Sequence, residues 1–158
     1  MALRIGMGFD SHGWSDDPTR VLVLGGVEFP GARALHGHSD ADVIAHACTD
    51  AILSAAGLDD IGTLFPDTDA AHAGADSIAM LRSATQLVEQ AGFTVVNVDC
   101  SVVLERPKVA PHRAAMGEIL SAAVGAAVTV KGKRPEGLGT LGDEGALCWA
   151  VALVEEDR

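Results

Sequence analysis

The chain has 158 residues, of which 48% are hydrophobic, and this length and composition predict one compact domain, residues 1–158, with a substantial core. The formal net charge of −11 argues against a nucleic-acid partner, because phosphate backbones bind to basic surfaces. No apolar run reaches the length of a membrane span and no signal segment opens the chain, so we expect a cytoplasmic protein without a membrane partner. The three cysteines form no C-x-x-C pair and lie in apolar segments, which predicts buried free thiols.

Hydrophobic periodicity predicts the elements in the chain order β-ββ-α-α-β-α-β-β. They are a strand over 4–12, a hairpin over 21–29, helices over about 40–56 and 77–90, a strand over 93–104, a helix from Pro111 to near Gly125, and strands over 128–131 and 147–154. Ser39 followed three residues later by Asp42 resembles a capping box that opens the first helix, and Gly57 ends it. The connection over 58–75 is long, and we expect it to cover a substrate.

This order of elements predicts an α+β fold with one mixed β-sheet and helices packed on one face. In the strand over 93–104, every second residue from Val96 to Leu104 is apolar, which is expected to place these side chains on one side of the sheet. Half of the strand positions on the other sheet face are apolar as well. We therefore expect the molecule to associate with itself through its sheets.

Asp10, His12 and His46 are the candidate metal ligands. Asp10 and His12 end the first strand two residues apart and project to the same side of it. His46 lies on the first helix, on a polar face with Asp42 and Asp50. Two imidazole nitrogens and one carboxylate oxygen suit Zn²⁺, and three protein ligands leave a fourth position for a substrate oxygen. The alternative is that D-x-H is a common tripeptide and that His46 is an ordinary core or surface histidine.

Two basic clusters stand out in this acidic chain, Arg106-Pro107-Lys108 and Lys131-Gly132-Lys133-Arg134. A few cations together with bound metal ions allow an acidic protein to bind a small phosphorylated ligand. Each cluster taken alone is equally typical of a solvated turn.

With these residues in view, the chain resembles the 2-C-methyl-D-erythritol 2,4-cyclodiphosphate synthase family over nearly its whole length. The resemblance rests on several long motifs in the same order, which are GMGFDSH at 6–12, LGGV at 24–27, HSDADVIAH at 38–46, DIGTLFPDTD at 60–69 and RPK at 106–108. It implies a homotrimer with sheets facing a central channel and with active sites between subunits. It also implies metal-assisted conversion of 4-diphosphocytidyl-2-C-methyl-D-erythritol 2-phosphate into the 2,4-cyclodiphosphate and CMP, a phosphorus-oxygen lyase reaction of the non-mevalonate isoprenoid pathway.

The resemblance also implies roles for individual residues. It assigns Zn²⁺ to Asp10, His12 and His46, and it assigns Mg²⁺ or Mn²⁺ to Glu136 together with the substrate diphosphate. The residues implied in catalysis are His38, Ser39, Asp60 and Glu136. Those implied in binding the cytidine diphosphate substrate are Gly62, Phe65, Asp67, Arg106, Pro107, Lys108, Lys131, Lys133 and Arg134. For Asp40 and Asp42, orientation of a ligand histidine and capping of the helix remain open alternatives.

The chain departs from the family pattern in two places. The family usually has threonines between the residues matching Lys131 and Glu136, where this chain has Gly132-Lys133-Arg134-Pro135. Cationic side chains can replace hydroxyl contacts to phosphate with charge-assisted ones. The segment over 139–145 is one residue shorter and lacks an arginine, and Trp149 stands where a glutamate is often found. In the family, that arginine and glutamate lie at one end of the trimer channel, where isoprenoid diphosphates bind, so the resemblance does not extend to such binding in this chain.

Two other functions compete with the cyclase. A metal-dependent phosphodiesterase or pyrophosphatase would use the same ions to activate water, although no obvious general base lies beside the metal ligands. A zinc-stabilised binding module would hold a nucleotide without turnover. Structural zinc sites usually have four protein ligands, and only three are evident here.

Overall fold

A computed structural model of the chain describes residues 2–66, 68, 74–139 and 142–157. The strands are β1 (Leu3–Gly13), β2 (Leu22–Leu24), β3 (Val27–Phe29), β4 (Phe93–Val103), β5 (Ala127–Lys133) and β6 (Gly145–Glu156). The helices are α1 (Val43–Ala56), the short α2 (Ile61–Leu64), α3 (Ser77–Gln90) and α4 (Arg113–Val124). Helix α2 was not predicted from the sequence. Helix α4 starts after Pro111 because a 3₁₀ turn, Ala110–His112, precedes it.

Four strands form one mixed sheet in the order β1-β6-β4-β5, which confirms the predicted α+β fold. Strand β6 is antiparallel to both β1 and β4, whereas β4 and β5 are parallel. Because parallel neighbours need a crossover connection, α4 lies between β4 and β5 in the chain and packs on β5. Strands β2 and β3 pair in a separate hairpin.

Helix α1 lies unusually close to β1 because two glycines of that strand face it. A Cβ atom added to Gly8 would lie 1.9 Å from the carbonyl oxygen of Ala47, and one added to Gly6 would lie 2.2 Å from that of Ala51. Only a residue without a side chain fits at these two positions. The close approach sets the end of β1 beside the first turn of α1.

Helix α1 begins at Val43, three residues later than the sequence predicted, and the predicted capping box at Ser39 was wrong. Asp42 is the N-cap residue, and its carboxylate accepts the N–H groups of Ile44 and Ala45. Ala41 has a φ of 61°, which lies in the left-handed region and keeps the preceding residues out of the helix. Gly57 ends the helix as predicted.

Val96 breaks the alternation predicted for β4. The register of β4 against β6 shifts between Val95 and Asn97. The extra residue at such a bulge interrupts the alternation, so the side chains on its two sides face the core out of step. Val95 is buried, whereas Val96 is 42% exposed. Beyond the bulge the prediction holds, since Val98, Cys100, Val102 and Leu104 are all buried.

The core fills the space between the sheet and the helices, and it includes the three cysteines, which are buried and free as predicted. The opposite sheet face carries exposed large apolar side chains, among them Leu3, Ile5, Met7, Phe9, Trp149 and Val151. A contiguous apolar patch of this kind is typical of an interaction surface. Self-association through this face remains a prediction. None of the helices in the described ranges has the length and apolar character needed to cross a membrane.

Candidate active site

Three potential metal ligands meet where the end of β1 lies beside the first turn of α1. Asp10 Oδ2 lies 3.0 Å from His12 Nε2 and 3.1 Å from His46 Nδ1. The two histidine nitrogens are 3.2 Å apart. Tetrahedral bonds of about 2.0 Å place ligand atoms roughly 3.3 Å from one another, so these three atoms suit a single ion. The residues predicted from the sequence therefore form a cluster that could hold a metal ion.

The ring of His12 is oriented by the loop before α1. Its Nδ1 lies 2.8 Å from the backbone carbonyl oxygen of His36, and the N–H of His36 donates to the carbonyl of Gly13 at 2.8 Å. A carbonyl oxygen only accepts hydrogen bonds, so Nδ1 carries a proton and Nε2 is the atom that faces the cluster. Metal-binding histidines are commonly held in this way through the nitrogen that does not bind the metal.

The ring of His46 is held from its opposite side by two serines. Its Nε2 lies 2.8 Å from Ser77 Oγ and 3.2 Å from Ser39 Oγ. Ser77 is the first residue of α3, and both its hydroxyl and its backbone N–H contact the carboxylate of Asp40. The candidate ligand His46 is thus surrounded by groups from the loop before α1 and from α3.

The cluster shifts the protonation of its own members. Burial raises the pKa of Asp10, but hydrogen bonds from His12 and His46 and their charge outweigh burial and hold this pKa well below its ordinary value. Burial lowers the pKa of His12, but the hydrogen bond and charge of Asp10 outweigh it and raise this pKa above its ordinary 6.5. The pair therefore favours an anionic carboxylate beside a protonated imidazole. A metal ion must displace that proton, as metal ligation generally requires.

The structure separates the roles of Asp42 and Asp40, which the sequence left open. Besides capping α1, the buried Asp42 carboxylate accepts the N–H groups of Gly25 and Gly26 at 2.8 and 2.7 Å. The carboxylate thereby fixes the β2–β3 turn to the helix, and among the described contacts it has no hydrogen bond to the ring of either histidine. Asp40 reaches His46 through Ser77.

A cavity of about 670 Å³ opens beside His12 and His46, the two candidate histidine ligands. It is lined by several residues that the sequence singled out, which are His12, His38, Ser39, His46, Gly62 and Phe65. His36, Ile61 and Met80 also line it and were not predicted. This volume lies within the range of small-molecule sites, and a cavity that combines apolar walls with convergent polar groups is typical of a binding site.

Helix α2 forms part of the cavity wall, and two carboxylates hold it there. Asp50 of α1 accepts the N–H of Ile61 at 2.8 Å, and burial raises the pKa of this carboxyl group. The exposed Asp60 is the N-cap of α2 and accepts both the N–H and the hydroxyl of Thr63. Backbone N–H donation from Thr63 and its hydroxyl lower the pKa of Asp60. The predicted substrate contact of Asp67 lies outside the described residues.

The two basic clusters meet at a second cavity, of about 340 Å³, which is separate from the first. Pro107 and Lys108 line it together with Lys133 and Arg134. Arg106 lines an adjoining cavity with Trp14, which Lys108 and Arg134 also border. Within the part of the chain that the structure describes, these cations have no carboxylate partner in an ion pair. Glu105 also lines both of these cavities, but the cationic side chains outnumber the acidic ones, which favours an anionic ligand.

Two predicted site residues lie apart from both cavities. The ammonium group of Lys131 pairs with Asp99 on the open face of the sheet. Glu136 is exposed, with a left-handed φ of 53°, and it belongs to no cluster of three metal-binding groups in the described ranges. The substrate and metal contacts expected of these two residues stay predictions.

Sequence comparison decides the family. The model of the YgbB family matches residues 3–155. The chain belongs to the YgbB family. Among relatives, the 2-C-methyl-D-erythritol 2,4-cyclodiphosphate synthase of Aromatoleum aromaticum is 55% identical over 155 residues, covering 96% of this chain and 93% of that protein. The protein of the same description from Rubrobacter xylanophilus is 52% identical over 157 residues, covering 96% and 94%. The resemblance identified from the sequence is therefore confirmed.

Solved structures share the fold of this YgbB-family chain. The bifunctional IspDF from Campylobacter jejuni matches with a TM-score of 0.92 and 36% identity, over 98% of this chain and 42% of that longer chain. A 2C-methyl-D-erythritol-2,4-cyclodiphosphate synthase in a CDP-bound form matches with a TM-score of 0.85 and 39% identity, over 96% and 100%.

Sequence reasoning missed two residues that touch the candidate ligand histidines of this YgbB-family chain, His36 and Ser77. His36 contributes only a backbone carbonyl, which no side-chain pattern could reveal. Ser77 follows Asp76, the N-cap of α3, and its place at the start of a predicted helix was the one available signal.

Proposed function

We propose that the chain converts 4-diphosphocytidyl-2-C-methyl-D-erythritol 2-phosphate into 2-C-methyl-D-erythritol 2,4-cyclodiphosphate and CMP, as a lyase of the non-mevalonate isoprenoid pathway. The observation that carries the proposal is the cluster of Asp10, His12 and His46 at the wall of a cavity that also presents His38 and Ser39. Full-length relatives at 55% and 52% identity are described as synthases of this product.

The donor set fits Zn²⁺, with Asp10, His12 and His46 as its ligands. The fit rests on one carboxylate oxygen and two imidazole nitrogens within 3.2 Å of each other, each imidazole being held through its other nitrogen. When bound, such an ion supplies Lewis-acid polarisation of a phosphoryl oxygen. Mg²⁺ or Mn²⁺, held by Glu136 and the substrate diphosphate, is the second ion of the proposal, since hard oxygen ligands suit it.

The reaction needs no nucleophilic side chain. An oxygen of the substrate's 2-phosphate attacks the β-phosphorus, and the bond from that phosphorus to the oxygen bridging to CMP breaks. The protein's task is to hold two anionic groups together, and positioning of this kind can supply roughly 7–11 kcal/mol of a barrier. In the proposal, His38 and Ser39 contact the transferred phosphate, while Gly62, Phe65 and the carboxylates of Asp60 and Asp67 bind the erythritol end.

The cytidine end of the substrate is proposed to bind the segment of Arg106, Pro107 and Lys108 with Lys131, Lys133 and Arg134. The cavity formed there shares no lining residue with the one beside His12 and His46, and in the proposal one substrate molecule uses a cavity from each of two subunits. A homotrimer joined through the apolar open sheet faces, which would enclose a central channel, supplies that arrangement. A solved relative in a CDP-bound form supports the cytidine nucleotide.

Phosphorus NMR of the proposed substrate incubated with the purified protein, Zn²⁺ and Mg²⁺ tests the function, with a chelated sample as control. The cyclase predicts a metal-dependent cyclic diphosphate and an equimolar amount of CMP. Linear phosphates with CMP would instead identify the chain as a metal-dependent phosphodiesterase or pyrophosphatase that uses water as the nucleophile. The absence of turnover in the presence of both metals would contradict both enzymes.

A further inference from the structure

Ser77 lies between a carboxylate and a candidate metal ligand. Its Oγ is 2.8 Å from His46 Nε2, and the same oxygen is hydrogen-bonded to Asp40 Oδ1. Its backbone N–H donates to the other oxygen of that carboxylate at 3.1 Å. The side chain is fully buried, so no solvent competes for these bonds.

The direction of each hydrogen bond follows from counting protons. A carboxylate accepts only, so the single hydroxyl proton of Ser77 is donated to Asp40. The Ser77 oxygen must then accept from His46, which means that Nε2 carries a proton. In a neutral imidazole the lone pair is left on Nδ1, and Nδ1 is the atom that faces Asp10 and His12.

We infer that Ser77 is a positioning residue for the metal site: held by Asp40, it selects the His46 tautomer that presents Nδ1 to the ion. This inference rests on the proposed metal site. Asp40 is itself anchored, because its backbone N–H donates to the carbonyl of Ala75 at 3.1 Å. Hydrogen bonds therefore join the start of α3 to the loop before α1 behind His46.

Ser39 provides a weaker substitute for Ser77. Its Oγ is 3.2 Å from His46 Nε2 and already accepts the N–H of Ala41 at 3.1 Å. Loss of a hydrogen-bonding partner behind a metal ligand typically weakens metal binding 10- to 100-fold. Because Ser39 remains, we expect Ser77→Ala to weaken Zn²⁺ binding about tenfold, which is the lower limit of this range.

The test compares Zn²⁺ affinity, measured by competition with a chromophoric chelator, in wild type, Ser77→Ala and Ser77→Thr. Ser77→Thr keeps the hydroxyl and is expected to restore most of the affinity. Thr85→Val is the matched control, since Thr85 is also buried on α3 but bonds to the carbonyl of Leu81. It is expected to leave Zn²⁺ affinity unchanged even where it lowers the melting temperature.

A spectroscopic readout separates positioning from general stability. In the zinc-loaded protein, long-range ¹H–¹⁵N spectra of histidine are expected to show His46 with a protonated Nε2 and a metal-bound Nδ1, and Ser77→Ala is expected to shift the Nε2 signal. Unchanged Zn²⁺ affinity with an unchanged Nε2 signal would overturn the role of Ser77. A wild-type protein that fails to retain Zn²⁺ would overturn the metal site itself, whereas absence of cyclase turnover alone would leave these readouts intact.

Discussion

The carboxylate of Asp42 accepts the backbone N–H of Gly25 at 2.8 Å, although the two residues lie on different elements. One buried side chain thereby caps α1 and fastens the β2–β3 turn against it. In total it accepts four backbone N–H groups, from Gly25, Gly26, Ile44 and Ala45. The geometry of the candidate metal site depends on these hydrogen bonds, because His46 lies on the first turn of the same helix.

Asp42→Asn is expected to destabilise the fold by about 1–3 kcal/mol, because one carboxylate oxygen becomes an amide N–H₂ that faces the N–H of Gly26. Asp42→Ala leaves several buried N–H donors without a partner, so the free energy of unfolding is expected to fall by about 4 kcal/mol or more. Urea unfolding measures both. Asp76→Asn is the control, because Asp76 caps α3 at an exposed position and Asn caps helices equally well. Equal losses of unfolding free energy for Asp42→Asn and Asp76→Asn would contradict the role of Asp42 in holding the β2–β3 turn to α1.

Gly8→Ala is expected to destabilise the protein by about 3 kcal/mol or more, because the new Cβ would lie 1.9 Å from the backbone oxygen of Ala47. Relief requires α1 to move away from β1, which separates His46 from Asp10. The free energy of unfolding, measured in urea, and the Zn²⁺ affinity are both expected to fall. Gly13→Ala is the matched control in the same strand, since its Cβ atom would lie 3.6 Å from its nearest neighbour, the backbone oxygen of Glu144. A folded Gly8→Ala variant with normal Zn²⁺ affinity would refute this account of the close approach.

His46→Ala is expected to abolish Zn²⁺ retention and turnover while leaving the protein folded and its assembly unchanged. Loss of several kcal/mol of charge stabilisation corresponds to a fall in rate of about a thousandfold or more. Metal content after dialysis, circular dichroism and light scattering provide the measurements. His112→Ala serves as a control, because this histidine packs on Phe29 with ring centroids 4.6 Å apart and lies outside the cluster. An unfolded or dissociated His46→Ala protein would make the metal structural.

Arg134→Thr restores the residue type that the family usually has in this segment, and it removes a cation from the cavity that Lys108 and Lys133 also line. If Arg134 makes a charge-assisted hydrogen bond to substrate phosphate, about 1.5–3 kcal/mol of binding is lost. KM for the cytidine diphosphate substrate is then expected to rise about tenfold or more, with little change in kcat. Arg82→Thr removes the same charge from an exposed position on α3. A similar rise in both variants would indicate a long-range charge effect instead of contact.

The sequence by itself determined the elements of this protein, because their signals are local. The period of apolar residues predicted the four strands of the sheet, the three longer helices and their order, but it missed the short α2. Gly57 and Gly125 mark helix ends through their left-handed conformation. The D-x-H spacing placed Asp10 and His12 on one side of a strand, since neighbouring side chains in a strand alternate. The position of His46 on a polar helix face made it the third candidate ligand, and the family motifs added His38, Ser39, Gly62 and Phe65 of the cavity.

Tertiary structure alone decided how these elements meet, because the deciding contacts join residues far apart in the chain. The glycines of β1 admit α1 closely enough for His46 to reach Asp10, and the positive φ of Ala41 delays the helix so that Asp42 becomes its cap. Ser77 contacts His46 across 31 positions, and the bulge at Val96 depends on the register with β6. Such contacts depend on three-dimensional packing, and no local pattern in the sequence encodes them.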